Sequence, residues 1–177
     1  HYDHSPREVQ REIFARQLRV ARAQDLPVVI HSREADNDTI AILREELTGS
    51  ARAGVLHCFG GSLAMAQAAI ELGFFISFAG NLTFKKAEDL RDVALELPLE
   101  RLLIETDCPY LTPVPFRGKR NEPARVVEPA RGLAPRRGKE LAQLGAINSG
   151  NFANLFGVRG QTKRAPTYLR KIFVSRL

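Results

Sequence analysis

The sequence predicts an α/β protein built on a parallel sheet, and three observations carry that prediction. Short, unbroken apolar runs recur through the first hundred or so residues, amphipathic stretches with helix caps separate them, and one run follows the next at roughly 25-residue intervals. Strand and helix in alternation make βαβ units. Strands covered on both faces lose the apolar–polar alternation of a half-exposed sheet, which explains why these runs are continuous.

The elements follow in order. Ser5-Pro6-Arg7-Glu8 supplies an N-cap, a proline at N1 and a capping-box acid at N3, opening a helix to about Ala23. Val9, Ile13, Phe14, Leu18 and Ala21 approximate its apolar stripe. "LPVVIH" (26–31) is the first strand, with its proline at the edge, and about Asp36–Leu47 is the next helix, with Ile40, Leu43 and Leu47 on one face. "AGVLHCFGG" (53–61) is a strand ending in glycines, and "SLAMAQAAIELG" (62–73) a helix with a serine cap and a glycine stop. "FFISFAG" (74–80) is the third strand, a helix follows around Lys86–Leu97, and "RLLIETD" (101–107) is the fourth strand. A loop rich in proline, glycine and basic residues spans 112–123, and Pro129 and Pro135 interrupt the helical pattern of 126–138. A last helix runs over about Gly138–Phe156 with Gly157 as its stop, and 158–177 reads as a basic tail, poorly ordered.

Composition narrows the class. With 44% hydrophobic and 26% charged residues, the 177-residue chain is of ordinary globular type. No apolar run reaches the roughly 18–20 residues of a membrane span and the N-terminus carries no signal-peptide core, so no membrane role is expected. Two cysteines, Cys58 and Cys108, are too few for a disulfide framework, which points to the reducing cytoplasm. Residues 117–177 hold 14 Lys/Arg against 3 Asp/Glu, a bias that attracts phosphate backbones or forms a solvated tail.

Three of the four strands end in a side chain able to bind metal: His31, His57 and Asp107. Active sites of parallel sheets and barrels lie at the carboxyl ends of the strands. Side-chain alternation puts Val29 with His31, Val55 with His57, and Glu105 with Asp107. Two imidazoles and a carboxylate meeting there make a transition-metal site. Singly, each has another role: a histidine after a strand is commonly a hydrogen-bonded loop residue, and a strand-terminal aspartate commonly caps a turn. Equivalent placement in successive units favours the joint site. Cys58 and Cys108 neighbour His57 and Asp107 directly, so on a strand each points to the opposite face and forms no nucleophile–base pair.

"LPVVIHSREA", "GVLHCFGGS", "FFISFAGNLTFKKAEDLR", "LPLERLLIETDCPYLTP" and "RGKRNEPARV" stand in the order of the TatD-type deoxyribonuclease family of metal-dependent hydrolases, which the sequence closely resembles. "GNFANLFGV" (150–158) is similar to the family's closing helix. The resemblance implies a TIM-type (β/α)8 barrel, two divalent metal ions in a complete site, and cleavage of phosphodiester bonds in DNA. On the matching motifs, His31 and His57 correspond to metal ligands, and Asp107 to the metal-binding acid that helps activate water. Glu105 takes a supporting role. Arg33, Arg117, Lys119 and Arg120 are candidate phosphate contacts.

The family's first-strand His-x-His motif and middle-strand glutamate ligand have no counterpart here; His1-Tyr2-Asp3-His4 aligns just after that glutamate. Residues 1–157 are therefore expected to be roughly the C-terminal half of the barrel. Open sheet edges near Val28 and Leu103 would invite self-association. Two further classes stay open: an amidohydrolase-like metal-dependent esterase or lactonase, and an inactive fragment or nucleic-acid-binding module.

Overall fold

The computed structural model describes residues 5–49 and 53–157 and, as backbone alone, Phe173–Arg176. Among these, strands β1 (Val28–His31), β2 (Gly54–Leu56), β3 (Phe75–Phe78) and β4 (Leu102–Ile104) alternate with helices α1 (Arg7–Ala23), α2 (Asp36–Leu47), α3 (Leu63–Glu71) and α4 (Glu88–Glu96). Helices α5 (Val127–Leu133) and α6 (Leu141–Phe156) follow, and Phe173–Arg176 forms β5. The sheet order is β4-β3-β2-β1-β5 and every pairing is parallel. Strands β2, β3 and β4 each lie beside their predecessor, as consecutive strands of a (β/α)8 barrel do.

Alternation along the strands builds two apolar layers. Val28, Ile30, Leu56, Ile76, Phe78 and Leu102 face the helices and join Phe14, Leu18, Leu43, Met65 and Leu97 in the main core. Val55, Phe75 and Leu103 turn the other way and pack with Val29 and with Leu155 and Phe156 of α6. That second layer fills the concave face of the sheet. The side chains next in phase along it (His31, His57, Ser77 and Glu105) are polar.

Three local departures from the expected pattern have plain causes. Pro6, with ψ 141°, is extended and precedes α1 instead of opening it, and no side chain caps the helix. The buried face of α1 is Phe14, Leu18 and Ala21, whereas Val9 and Ile13 are 46% and 45% exposed. Ile13 is turned about 100° from Phe14 by the 3.6-residue repeat, which takes it off that face. Pro129 does not break the chain's helicity: it occupies the first turn of α5, where its missing N–H costs no intrahelical bond.

The β1 edge expected near Val28 to stay open is paired with β5, in register Val28–Phe173 to His31–Arg176. On the other side, the buried Asn151 of α6 donates from Nδ2 to the carbonyls of Leu99 and Leu102, each at 2.8 Å, so helix rather than solvent meets the start of β4. Of the tail read from 158 onward, only the β5 backbone lies within the described residues. No helix among them is long and apolar enough to cross a membrane.

Candidate functional site

The polar side chains at the carboxyl ends of the strands are held by an extension of the sheet. His57 N–H donates to Ile30 O at 2.9 Å, Phe59 N–H to Ser77 O at 2.8 Å, and Glu105 N–H to Phe78 O at 2.9 Å. His57 and Glu105 therefore keep strand phase one residue past the regular ends of β2 and β4. Their side chains emerge on the concave face above Val55 and Leu103, as side-chain alternation requires.

There they meet. His31 Nδ1 and His57 Nε2 are 3.3 Å apart, and the ring centroids are separated by 5.2 Å. The far nitrogen of His57, Nδ1, lies 3.3 Å from the Glu105 carboxylate. Glu105 Oε1, one of the two oxygens facing that nitrogen, also accepts the backbone N–H of Cys58. A carboxylate on Nδ1 fixes the ring's orientation and holds the proton there, which leaves the Nε2 lone pair facing His31.

A cavity of about 430 Å³ opens beside the pair, lined among others by His31, Arg33, Cys58, Asn81, Asp107 and Tyr110. Four of its lining residues have left-handed backbone: Glu34 (φ 54°), Cys58 (φ 50°), Asp107 (φ 52°) and Leu111 (φ 49°). Non-glycine residues there cost energy and gather where a site must aim side chains. Two expectations change as a result. Asp107 stands three residues past Ile104 and out of strand phase, so it does not share the face of Glu105 by alternation. Cys58 does not point away from the site either: its Sγ lies 3.9 Å from Asp107 Oδ2.

Burial, then the nearby charges of Asp107 and Glu105, push the Cys58 thiol up to about 12. It is a neutral S–H donor near neutral pH, not a thiolate nucleophile. The turn after Asp107 is closed by its backbone carbonyl, which accepts Tyr110 N–H at 2.9 Å. The carboxylate is thereby left to the cavity and not consumed as a turn cap.

The four candidate phosphate contacts divide. Arg33 lines the cavity. Arg117 lies with its guanidinium 3.9 Å over the Phe84 ring and donates to Thr112 O at 3.0 Å, so it braces a loop. Lys119 and Arg120 are exposed on that loop, outside the cavity lining. Asn81 is a residue that the sequence reading passed over: its Oδ1 is buried and has no hydrogen-bond partner among the described residues.

The donor chemistry suits a cation in part. Two imidazole nitrogens sharing one tetrahedral ion at about 2.0–2.1 Å would stand about 3.3–3.4 Å apart, close to the separation of the pair. The orphaned Asn81 acceptor adds a further group that a cation or a bound water would satisfy. Among the described residues, however, no three His, Cys, Asp or Glu side chains form a group able to hold an ion. The structure brings His31 and His57 together and puts Asp107 in the adjoining cavity, without closing the three into one ligand set.

A parallel sheet in barrel order with an imidazole–carboxylate centre at its carboxyl ends belongs to the class of (β/α)-barrel proteins with their working site at that face. Within that class, the model of the TatD related DNase family matches residues 1–157, and the chain belongs to this family. It is 42% identical over 158 residues to the uncharacterized metal-dependent hydrolase YabD of Bacillus subtilis, covering 89% of this chain and 62% of that one. It is 36% identical over 162 residues to a Klebsiella pneumoniae protein named 3'-5' ssDNA/RNA exonuclease TatD, covering 87% and 60%. Among solved structures, the Escherichia coli TatD homologue YJJV superposes with a TM-score of 0.80 at 33% identity, over 86% of this chain and 58% of that one. The chain thus spans about three fifths of the length of the curated relatives it matches.

Proposed function

We propose that this chain is a metal-dependent hydrolase of phosphodiester bonds in DNA, with His31, His57 and Asp107 as metal ligands. The observation that carries the proposal is the His31–His57–Glu105 relay at the strand ends of a TatD-family chain. The printed names of relatives, metal-dependent hydrolase and nucleic-acid exonuclease, support it.

A bound divalent ion supplies charge neutralisation on the phosphoryl oxygens and lowers the pKa of the attacking water. The chain's own residues do the rest. Glu105 holds the His57 ring so that Nε2 faces the centre. Asp107 accepts the proton of the water as its oxygen bonds to phosphorus, and the opposite P–O bond breaks in line. The leaving oxygen takes a proton from solvent. Arg33, in the cavity wall, holds a substrate phosphate, and Arg117, Lys119 and Arg120, on one loop outside it, meet phosphates further along the nucleic acid. We assign two ions to a complete site, and Mg²⁺, Mn²⁺ and Zn²⁺ are the ions to compare.

We read residues 1–157 as the C-terminal portion of a barrel domain and 158–177 as a basic appendage, acting in the cytoplasm as two free thiols suggest. Self-association through the β4 edge belongs to the same reading. The test is cleavage of a labelled single-stranded oligonucleotide with Mn²⁺ added. Loss of cleavage with EDTA, and in both His57→Ala and Asp107→Asn, is the expected result; cleavage retained in both variants overturns the assignment. A second reading, a nucleic-acid-binding module without catalysis, is favoured by the absence of a three-donor group among the described residues. Salt-sensitive binding that survives EDTA, with no cleavage under Mg²⁺ or Mn²⁺, would establish it.

A further inference from the structure

Tyr110 is an aromatic side chain left 69% exposed, yet it lines the same cavity as His31, Arg33 and Asp107. Exposed single aromatics are ordinary on a protein surface. What sets this one apart is how firmly its backbone is held. Asn121, only 3% exposed, uses both donors of its amide on the turn that carries the ring. Its Nδ2 donates to Tyr110 O at 2.6 Å and to Thr106 O at 2.8 Å, and its Oδ1 accepts Glu122 N–H at 2.9 Å. Its own N–H donates to Pro109 O at 3.2 Å. Behind the turn, Leu111 O lies where a side-chain Cβ on Gly80 would stand at 1.9 Å, so the strap 111–113 is seated on bare backbone.

A mobile loop needs no such fastening. A buried amide with both its donors and its oxygen engaged fixes the geometry of the turn it holds. The turn in question carries Asp107 at one end and the exposed ring at the other. Its ordering is settled before any ligand arrives, so a planar group laid on the ring would meet a prepaid surface. The ring shares its cavity with Arg33 and with Asp107, whose carboxylate the proposed reaction uses.

We infer that the Tyr110 ring is a stacking platform for a nucleobase of a single-stranded nucleic acid next to the phosphodiester being cleaved, with Asn121 as the positioning residue beneath it. The inference rests on the phosphodiester-hydrolase reading above. Stacking needs only the π face of the base, so the platform selects strands with unpaired bases over duplex, and does so with little sequence preference.

The experiment compares binding of two fluorescein-labelled 12-mers of equal charge, one of ordinary deoxynucleotides and one abasic throughout, to the full chain in Ca²⁺ buffer. Wild type is expected to prefer the base-bearing strand by about 5- to 150-fold, the range that one stacked base confers. Tyr110→Ala should bring the ratio close to one while leaving the abasic affinity unchanged, and Tyr110→Phe should keep the wild-type ratio. Asn121→Ala should lower the ratio, because the turn that presents the ring loses both of its side-chain donors. A wild-type ratio retained in Tyr110→Ala overturns the platform and leaves the hydrolase reading standing. Failure of wild type to bind either strand overturns both. Circular dichroism of each variant separates loss of stacking from loss of fold.

Discussion

At the scale of single residues, the site is a matter of which atom faces which. Glu105 is the side chain through which the histidine pair is tuned, because it touches His57 on the nitrogen away from His31. Partners of that kind raise ligand basicity and fix the ring, and their removal typically costs about 10–100-fold in metal affinity. Glu105→Gln is therefore expected to weaken Mn²⁺ or Zn²⁺ binding by that order in calorimetric titration, with the fold intact by circular dichroism. The two thiols make a second test. Cys108 is exposed, whereas Cys58 is partly buried with its thiol pushed up to about 12. The raised value keeps Cys58 protonated and unreactive at pH 8. Iodoacetamide at pH 8 should modify Cys108 first, with mass spectrometry of peptides locating the adduct; faster labelling at Cys58 would contradict the environment described.

At the scale of elements, the architecture rests on polar side chains that fasten one segment to another. Asn121→Ala leaves the carbonyls of Thr106 and Tyr110 without their donor, a loss of about 0.5–1.5 kcal/mol per hydrogen bond. Asn151→Ala does the same to Leu99 and Leu102 at the start of β4. Urea unfolding midpoints should fall for both, and an Asn151→Ala midpoint equal to wild type would mean that α6 is held by its apolar face alone. Local sequence chemistry foretold several of these elements well. Ser62 caps α3 by accepting Met65 N–H at 3.2 Å, α2 spans Asp36–Leu47 as its apolar spacing predicts, and Gly157 ends α6 at φ 68°. These signals are legible because cap, stripe and stop lie within a few residues of one another. The left-handed turns at Cys58 and Asp107 were not legible, since neither residue type demands a positive φ. Nor was Asn121 marked as a fastener, because its partners are set by the packing of a loop 11 to 15 residues away in sequence. The β5 pairing was missed for a similar reason: "KIFVSR" has strand-forming residues but no neighbouring period to announce a partner.

At the scale of the whole molecule, a parallel sheet with one helix-covered face and one concave face gathers its polar side chains at a single end. His31 and His57 were readable as a pair because they stand at matching places in successive βα units. The position of Asp107 relative to them was not readable, because it depends on the turn beyond β4. We propose that this end of the sheet binds a divalent ion through the two imidazoles. The most direct test is calorimetric titration of the metal-free chain with Mn²⁺ and Zn²⁺, beside His31→Ala, His57→Ala and the double variant. Binding by wild type that falls at least about tenfold in each single variant, and disappears in the double variant, is the result expected for a shared imidazole site. Equal affinity in wild type and the double variant would contradict it.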